Sequence, residues 1–82
     1  MQEAFILINT DPGKITQIAA SAQKVNGVKM AYAVTGAFDV IVYAEVSDMS
    51  ALGAVINIIH SIDGVQKTQT AVAIPPRIES VG

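Results

Sequence analysis

The sequence carries one pattern twice. Displaced by 37 positions (48 − 11), its halves align: Asp11 on Asp48, Ile15 on Leu52, Ile18 on Val55, Ala22 on Ile59, Val25 on Ile62, Gly27 on Gly64 and Val28 on Val65. Each half reads as strand, acidic turn, amphipathic helix, Gly-Val and strand. A doubled β-α-β unit in 82 residues leaves few folds open, and its length makes it one domain, 1–82, with a core at about 3–75 and a C-terminal tail at 76–82. Such a unit points to a small binding or assembly domain.

The local signals place each element. Ala4 to Ile8 is a continuous apolar run, as in a strand buried on both faces. Asn9-Thr10-Asp11-Pro12-Gly13 is turn chemistry, with Asp11 predicted as an N-cap and Pro12 at the first helical position, where its missing N–H is harmless. Ile15, Ile18, Ala19, Ala22 and Val25 recur at helical spacing, and Asn26-Gly27 ends the helix. A second strand is predicted over Val28 to Thr35, with Val28, Met30, Tyr32 and Val34 on one face and Lys29, Ala31, Ala33 and Thr35 on the other. Gly36-Ala37 is a tight connection to a third strand, Phe38 to Val46, apolar on both faces. Ser47-Asp48 starts a second helix with the stripe Leu52, Val55, Ile56, Ile59 and Ile62, closed by Asp63-Gly64. Val65 to Ile74 is the fourth strand, and Pro75-Pro76 stops any ladder.

The resulting class is α+β: a ferredoxin-like βαββαβ order, a four-stranded antiparallel sheet with both helices on one face. The other face has no cover from these elements. About six apolar side chains left there in water forgo roughly 1.5–3 kcal/mol each, on the order of 10 kcal/mol in all. That rivals the whole stability of a small domain. A dimer that packs sheet on sheet would cover it.

Composition narrows the function. Hydrophobic residues make up 51% of the chain and mean hydropathy is +0.47, which favours an oligomer. No run approaches the roughly 18 apolar residues of a membrane span, and the N-terminus has no signal-peptide pattern. These absences suggest a cytoplasmic protein that does not engage a membrane. Without cysteine there is no disulfide, thiolate chemistry or cysteine metal site. The net charge is −2, and Lys14, Lys24, Lys29, Lys67 and Arg77 are scattered, so no phosphate-neutralising patch for nucleic acid is visible.

Few residues invite chemistry. Asp39, in Gly36-Ala37-Phe38-Asp39, is a charge at the head of an apolar strand. It reads either as an acceptor for a ligand's ammonium group or as a turn aspartate satisfying its own loop. Thr68 and Thr70 share a strand face and could grip a small polar ligand, or simply suit a strand. His60 stands alone beside the second helix's apolar stripe, with no metal-binding neighbour. Capping accounts for Asp11 and Asp48. Phe5, Tyr32, Phe38 and Tyr43 read as core or interface. No nucleophile, base and orienter assemble, and neither a cofactor nor a metal is expected.

Val34-Thr35-Gly36-Ala37-Phe38-Asp39, followed by an apolar strand, Asp48 and then Asp63-Gly64-Val65-Gln66-Lys67-Thr68-Gln69-Thr70, resembles the effector-binding domain of leucine-responsive regulators, the Lrp/AsnC family. The likeness covers residues 3–75. It implies a dimer through the sheets, further assembly into octameric rings, and a small effector, usually an amino acid, bound between dimers. By the same resemblance, Gly36 and Asp39 would line the effector site, with Thr68 and Thr70 from the fourth strand and Thr35 close by. Ala37 and Ala71 would give a lining that discriminates little by size. Typical members carry an N-terminal helix-turn-helix, whereas this sequence opens on the first sheet strand. The expectation is therefore a stand-alone, non-enzymatic sensor that modulates a full-length regulator. The alternatives are an oligomerisation module without ligand, a dimeric α+β barrel enzyme, and an ACT-type amino-acid-binding domain with its ligand near Asn9 to Gly13.

Overall fold

A computed structural model describes residues 1–74. The elements run β1 (Gln2–Thr10), α1 (Ile15–Gln23), β2 (Val28–Ala33), β3 (Val40–Val46), α2 (Met49–His60) and β4 (Val65–Val72). The strands form one antiparallel sheet in the order β2-β3-β1-β4. This is the ferredoxin-like arrangement expected from the repeat. The expectation for Pro75-Pro76 and the tail to Gly82 lies outside the described residues.

Strict alternation on the two central strands decides where the core sits. Ala4, Ile6 and Ile8 of β1 and Val40, Val42, Ala44 and Val46 of β3 are buried. They meet Ile18 and Ala22 of α1 and Leu52, Val55 and Ile59 of α2 in one cluster. The opposite face carries Phe5, Leu7, Ile41 and Tyr43 from the same strands, joined by Met30 and Tyr32. Phe5 stays 46% exposed and Tyr32 58%, so the described residues leave this face uncovered.

The repeat survives in three dimensions at the helix exits. The C-caps Lys24 (φ −85, ψ −7) and Ser61 (φ −83, ψ −7) share one conformation. Gly27 and Gly64 follow with φ +99 and +97, a region that only glycine enters freely. Val28 N–H donates to Val25 O, as Val65 N–H does to Ile62 O. Each exit then passes through a bulge. The register shifts between Val28 and Met30 against β3, and between Lys67 and Val65 against β1, leaving Lys29 and Gln66 as the extra residues.

The first bulge corrects the predicted faces of β2. Val28 and Ala31 pack against the core, whereas Met30 and Tyr32 lie on the uncovered face. An extra residue resets a two-residue period, which alternation cannot foresee. The start of α1 is corrected as well. Its N-cap is Lys14, with no side-chain cap, and Pro12 precedes the helix. Asp11 instead accepts a hydrogen bond from Gln66 Nε2 at 2.8 Å. Asp48 does cap α2, accepting from Ala51 N–H at 2.8 Å. The strand limits shift too: β1 extends beyond Ala4 and Ile8, while β2, β3 and β4 are shorter than predicted.

Candidate functional site

The β2–β3 hairpin, residues 34–39, is held from two sides. Val34 N–H donates to Asp39 O across the hairpin, and Asp39 N–H donates to Ile8 O. The end of β1 grips the loop through side chains. Asn9 Nδ2 donates to Ala37 O at 2.9 Å, and Thr10 N–H donates to Asp39 Oδ2 at 2.8 Å. Thr10 Oγ1 stands 3.5 Å from the same oxygen, a marginal contact. Gly36, at φ +110, has open space where a Cβ would point.

Asp39 thus fills the turn role open to it in the sequence and keeps one carboxylate oxygen out of that role. Oδ2 anchors the hairpin to the polar end of β1. Oδ1 accepts no hydrogen bond from the described residues, and the side chain is half-buried. A carboxylate fixed by one oxygen presents the other in a defined direction to a cationic or N–H donor. Asn9 and Thr10 are neighbours of the hairpin that the sequence presents only as turn chemistry. The signal available is a polar pair closing an otherwise apolar strand.

Thr35 lies beside Ala33, Val34 and Ile15 of α1, lining a shallow depression of about 570 Å³. The first turn of α1 has no side-chain cap, so its N–H groups leave a positive end nearby. Thr68 and Thr70 do share a face, on edge strand β4. They pair with Ile8 and Ile6, on the helix side of the sheet. Within one chain β3 and β1 lie between them and β2, so the fold does not bring the threonines together with Thr35 and Gly36.

The uncovered sheet face has its own polar group. Tyr43 OH lies 2.7 Å from Glu3 Oε2 and 2.8 Å from Glu45 Oε2, and its ring meets Phe5 at 5.2 Å between centroids. The Glu3 carboxylate, and after it that of Glu45, hold the phenol proton and push the tyrosine pKa well above its usual value. His60 is exposed in the last turn of α2. Among the described residues there is no group of three His, Cys, Asp or Glu able to hold a metal, and no helix long and apolar enough to cross a membrane.

Comparison with known proteins decides the family. Residues 3–80 match the model of the Lrp/AsnC ligand binding domain. The chain belongs to the Lrp/AsnC family. Its relative in Pyrococcus abyssi, the HTH-type transcriptional regulator FL11, is 30% identical over 77 residues, 94% of this chain and 51% of that protein. The chain spans about half the length of the curated relatives it matches. Among solved structures, the hypothetical protein PHS023 from Pyrococcus horikoshii is similar at 35% identity and a TM-score of 0.84, covering 90% of each chain. TTHA0845 from Thermus thermophilus gives 26% identity and a TM-score of 0.90 over 96% of this chain and 100% of its own. The transcriptional regulator NMB0573 from Neisseria meningitidis, solved as a complex with L-Met, gives 27% identity and a TM-score of 0.79, over 96% of this Lrp/AsnC chain and 53% of the regulator.

Proposed function

We propose that this Lrp/AsnC domain senses a small effector, an amino acid, at the Gly36–Asp39 hairpin. The observation that carries the reading is Asp39, anchored by one oxygen and presenting the other. A free amino acid supplies an ammonium donor for that oxygen and a carboxylate suited to the uncapped start of α1. The L-Met complex of the Neisseria regulator supports the ligand class. Thr35 and Gly36 line the site from the hairpin. Thr68 and Thr70, remote within one chain, join it from a neighbouring subunit. The site therefore requires assembly. Two copies pair through the uncovered sheet faces, which removes Phe5, Met30 and Tyr32 from water, and such dimers build a ring of eight. The assembled protein acts in the cytoplasm by modulating a full-length regulator rather than by catalysis.

The test is a thermal-shift screen against the twenty amino acids, run with Asp39→Asn. Asparagine keeps an oxygen for Thr10 N–H and removes the charge. One or a few amino acids should raise the melting temperature of the parent. A ligand at 100 times its dissociation constant adds about 2.7 kcal/mol. The variant should keep the unliganded stability and lose the shift. No shift with any amino acid, or a shift that survives in the variant, refutes the hairpin site. A mass measurement finding only monomer at micromolar concentration refutes the shared site.

A further inference from the structure

The uncovered sheet face ends in a row of like charges. Glu3 of β1 and Glu45 of β3 stand directly opposite each other in the antiparallel register, and Ala73 N–H donates to Glu3 O on the other side of β1. Ala73, Glu3 and Glu45 therefore form one row across three strands, with Ala71, Phe5 and Tyr43 on the same face in the row two residues further along β1. Like charges directly opposite on paired strands repel. Tyr43 OH touches both carboxylates, Glu3 at 2.7 Å and Glu45 at 2.8 Å, but a phenol carries one proton and donates to one of them. The row therefore attracts a cation.

Beside it lies a cavity of about 280 Å³, lined by Phe5, Met30 and Ala73 together with Glu3 and Tyr43. That lining suits an aliphatic stem with a cationic head. The chain itself runs to the rim. Ala73 lines the cavity, and its N–H still pairs with β1 after β4 has ended at Val72. Residues 75–82, outside the described residues, read Pro-Pro-Arg-Ile-Glu-Ser-Val-Gly. Pro75 and Pro76 have no N–H with which to extend the ladder. Arg77, the one arginine of the sequence, follows Ala73 by four residues (77 − 73), a span of at most about 14 Å. Neighbouring strands are about 5 Å apart, which puts Glu3 about 5 Å and Glu45 about 10 Å from Ala73 across the row. Four residues therefore suffice to bring Arg77 back over both carboxylates.

We infer that Arg77 docks in this cavity of its own chain, its guanidinium on Glu3 and Glu45 and its aliphatic stem along Phe5 and Met30. A planar guanidinium with five donors serves two carboxylates at once, and a long side chain buries its stem while its head stays polar. Charge and shape thus point to the same side chain. The short connection favours the chain's own arginine over a second copy's, because closing so small a loop costs little compared with association. Leu7, Ile41 and Tyr32, at the other end of the face, remain for a second copy. The inference does not rest on the hairpin reading.

The experiment uses the full chain and the uniqueness of its arginine. The Arg77 Nε–H gives a single, self-identifying signal in a ¹H–¹⁵N spectrum. Nuclear Overhauser contacts are expected from it to the ring protons of Phe5 and Tyr43. An equal mixture of isotope-labelled and unlabelled chains, read with an isotope filter, separates contacts within one chain from contacts between two. The contacts should all fall within the labelled chain. Glu3→Gln/Glu45→Gln should lower the ratio of docked to free arginine about fivefold, and the contacts should fade accordingly. Should that variant fail to fold, Arg77→Gln supplies the decision, since it leaves every core residue in place: the Phe5, Met30 and Tyr43 signals should shift while those of α1 and α2 stay. The inference is overturned by an Nε–H without contacts, by contacts to the rings of the unlabelled chain alone, or by Phe5 and Tyr43 signals that Arg77→Gln leaves unmoved.

Discussion

The two halves of this chain leave their helices alike and enter them differently. At the exits, cap conformation, glycine, hydrogen bonds and bulge repeat residue by residue. At the entries, Asp48 caps α2 while Asp11 leaves α1 uncapped and turns to Gln66. The difference separates two kinds of constraint. An exit must deliver a strand into the sheet beside a packed helix, and few backbone paths do so. An entry crosses solvent, so its side chains are free to diverge. In this Lrp/AsnC domain the divergent entry of α1 lies beside the hairpin proposed to sense the ligand.

The comparison can be broken most forcefully in the core. Ile18 and Val55 are repeat equivalents, both buried. Ile18→Ala should cost about 3–4 kcal/mol and Val55→Ala about 2 kcal/mol by urea unfolding, the larger side chain leaving the larger cavity. Equal losses would mean that the two helices do not share one core.

The glycines come next. Alanine at either position is strained by its positive φ, by about 1–2 kcal/mol. At Gly27 the added Cβ also meets Val46 Cγ1 at 2.9 Å in the core, whereas at Gly64 it meets Lys14 Cβ and Cγ at 3.0 Å and Ile18 Cδ1 at 3.1 Å, a slightly looser fit. Gly27→Ala should therefore destabilise by about 3 kcal/mol and Gly64→Ala by about 2 kcal/mol. A reversed order would show that the surroundings of Gly64 are the more rigid of the two.

The entries should differ on a smaller scale. Asp48→Ala removes a cap and should cost about 1 kcal/mol. Asp11→Ala removes an exposed side-chain hydrogen bond and should cost no more than about 0.5 kcal/mol in the same unfolding assay. Equal effects would restore the predicted capping role of Asp11.

The smallest effect at neutral pH concerns the sheet face. Because Glu3 and Glu45 raise the folded pKa of Tyr43, the folded state keeps a proton that the unfolded chain loses near its ordinary pKa. That contribution is complete below about pH 10 and is lost as pH rises from there through the folded pKa. Tyr43→Phe should flatten the alkaline limb of the stability curve and leave other ranges nearly unchanged. An unaltered limb would mean that the two carboxylates do not hold the phenol proton.

Much of this fold is legible in the sequence because the repeat, the helix stripes and the helix-ending glycines each impose a local rule. Alternation misplaces the faces of β2 because its bulge carries no compositional mark: Lys29 is an ordinary strand-edge residue. Asp11 passes for a cap because Asp-Pro resembles an N-terminus, and its partner Gln66 lies 55 residues away (66 − 11). The anchoring of the hairpin by Asn9 at Ala37 and by Thr10 at Asp39 is invisible for the same reason. Nothing local tells which strand end a loop will meet.

The strand order places β1 second from one edge, hydrogen-bonded on both sides by strands from the second half of the chain. Within this domain β1 is therefore made before either strand it pairs with. Until residues 65–72 are made, one side of β1 has no native neighbour, and its apolar side chains lack a finished sheet. The sheet of this domain must wait for β4, and in that interval the nascent strand is most open to pairing with a neighbouring copy.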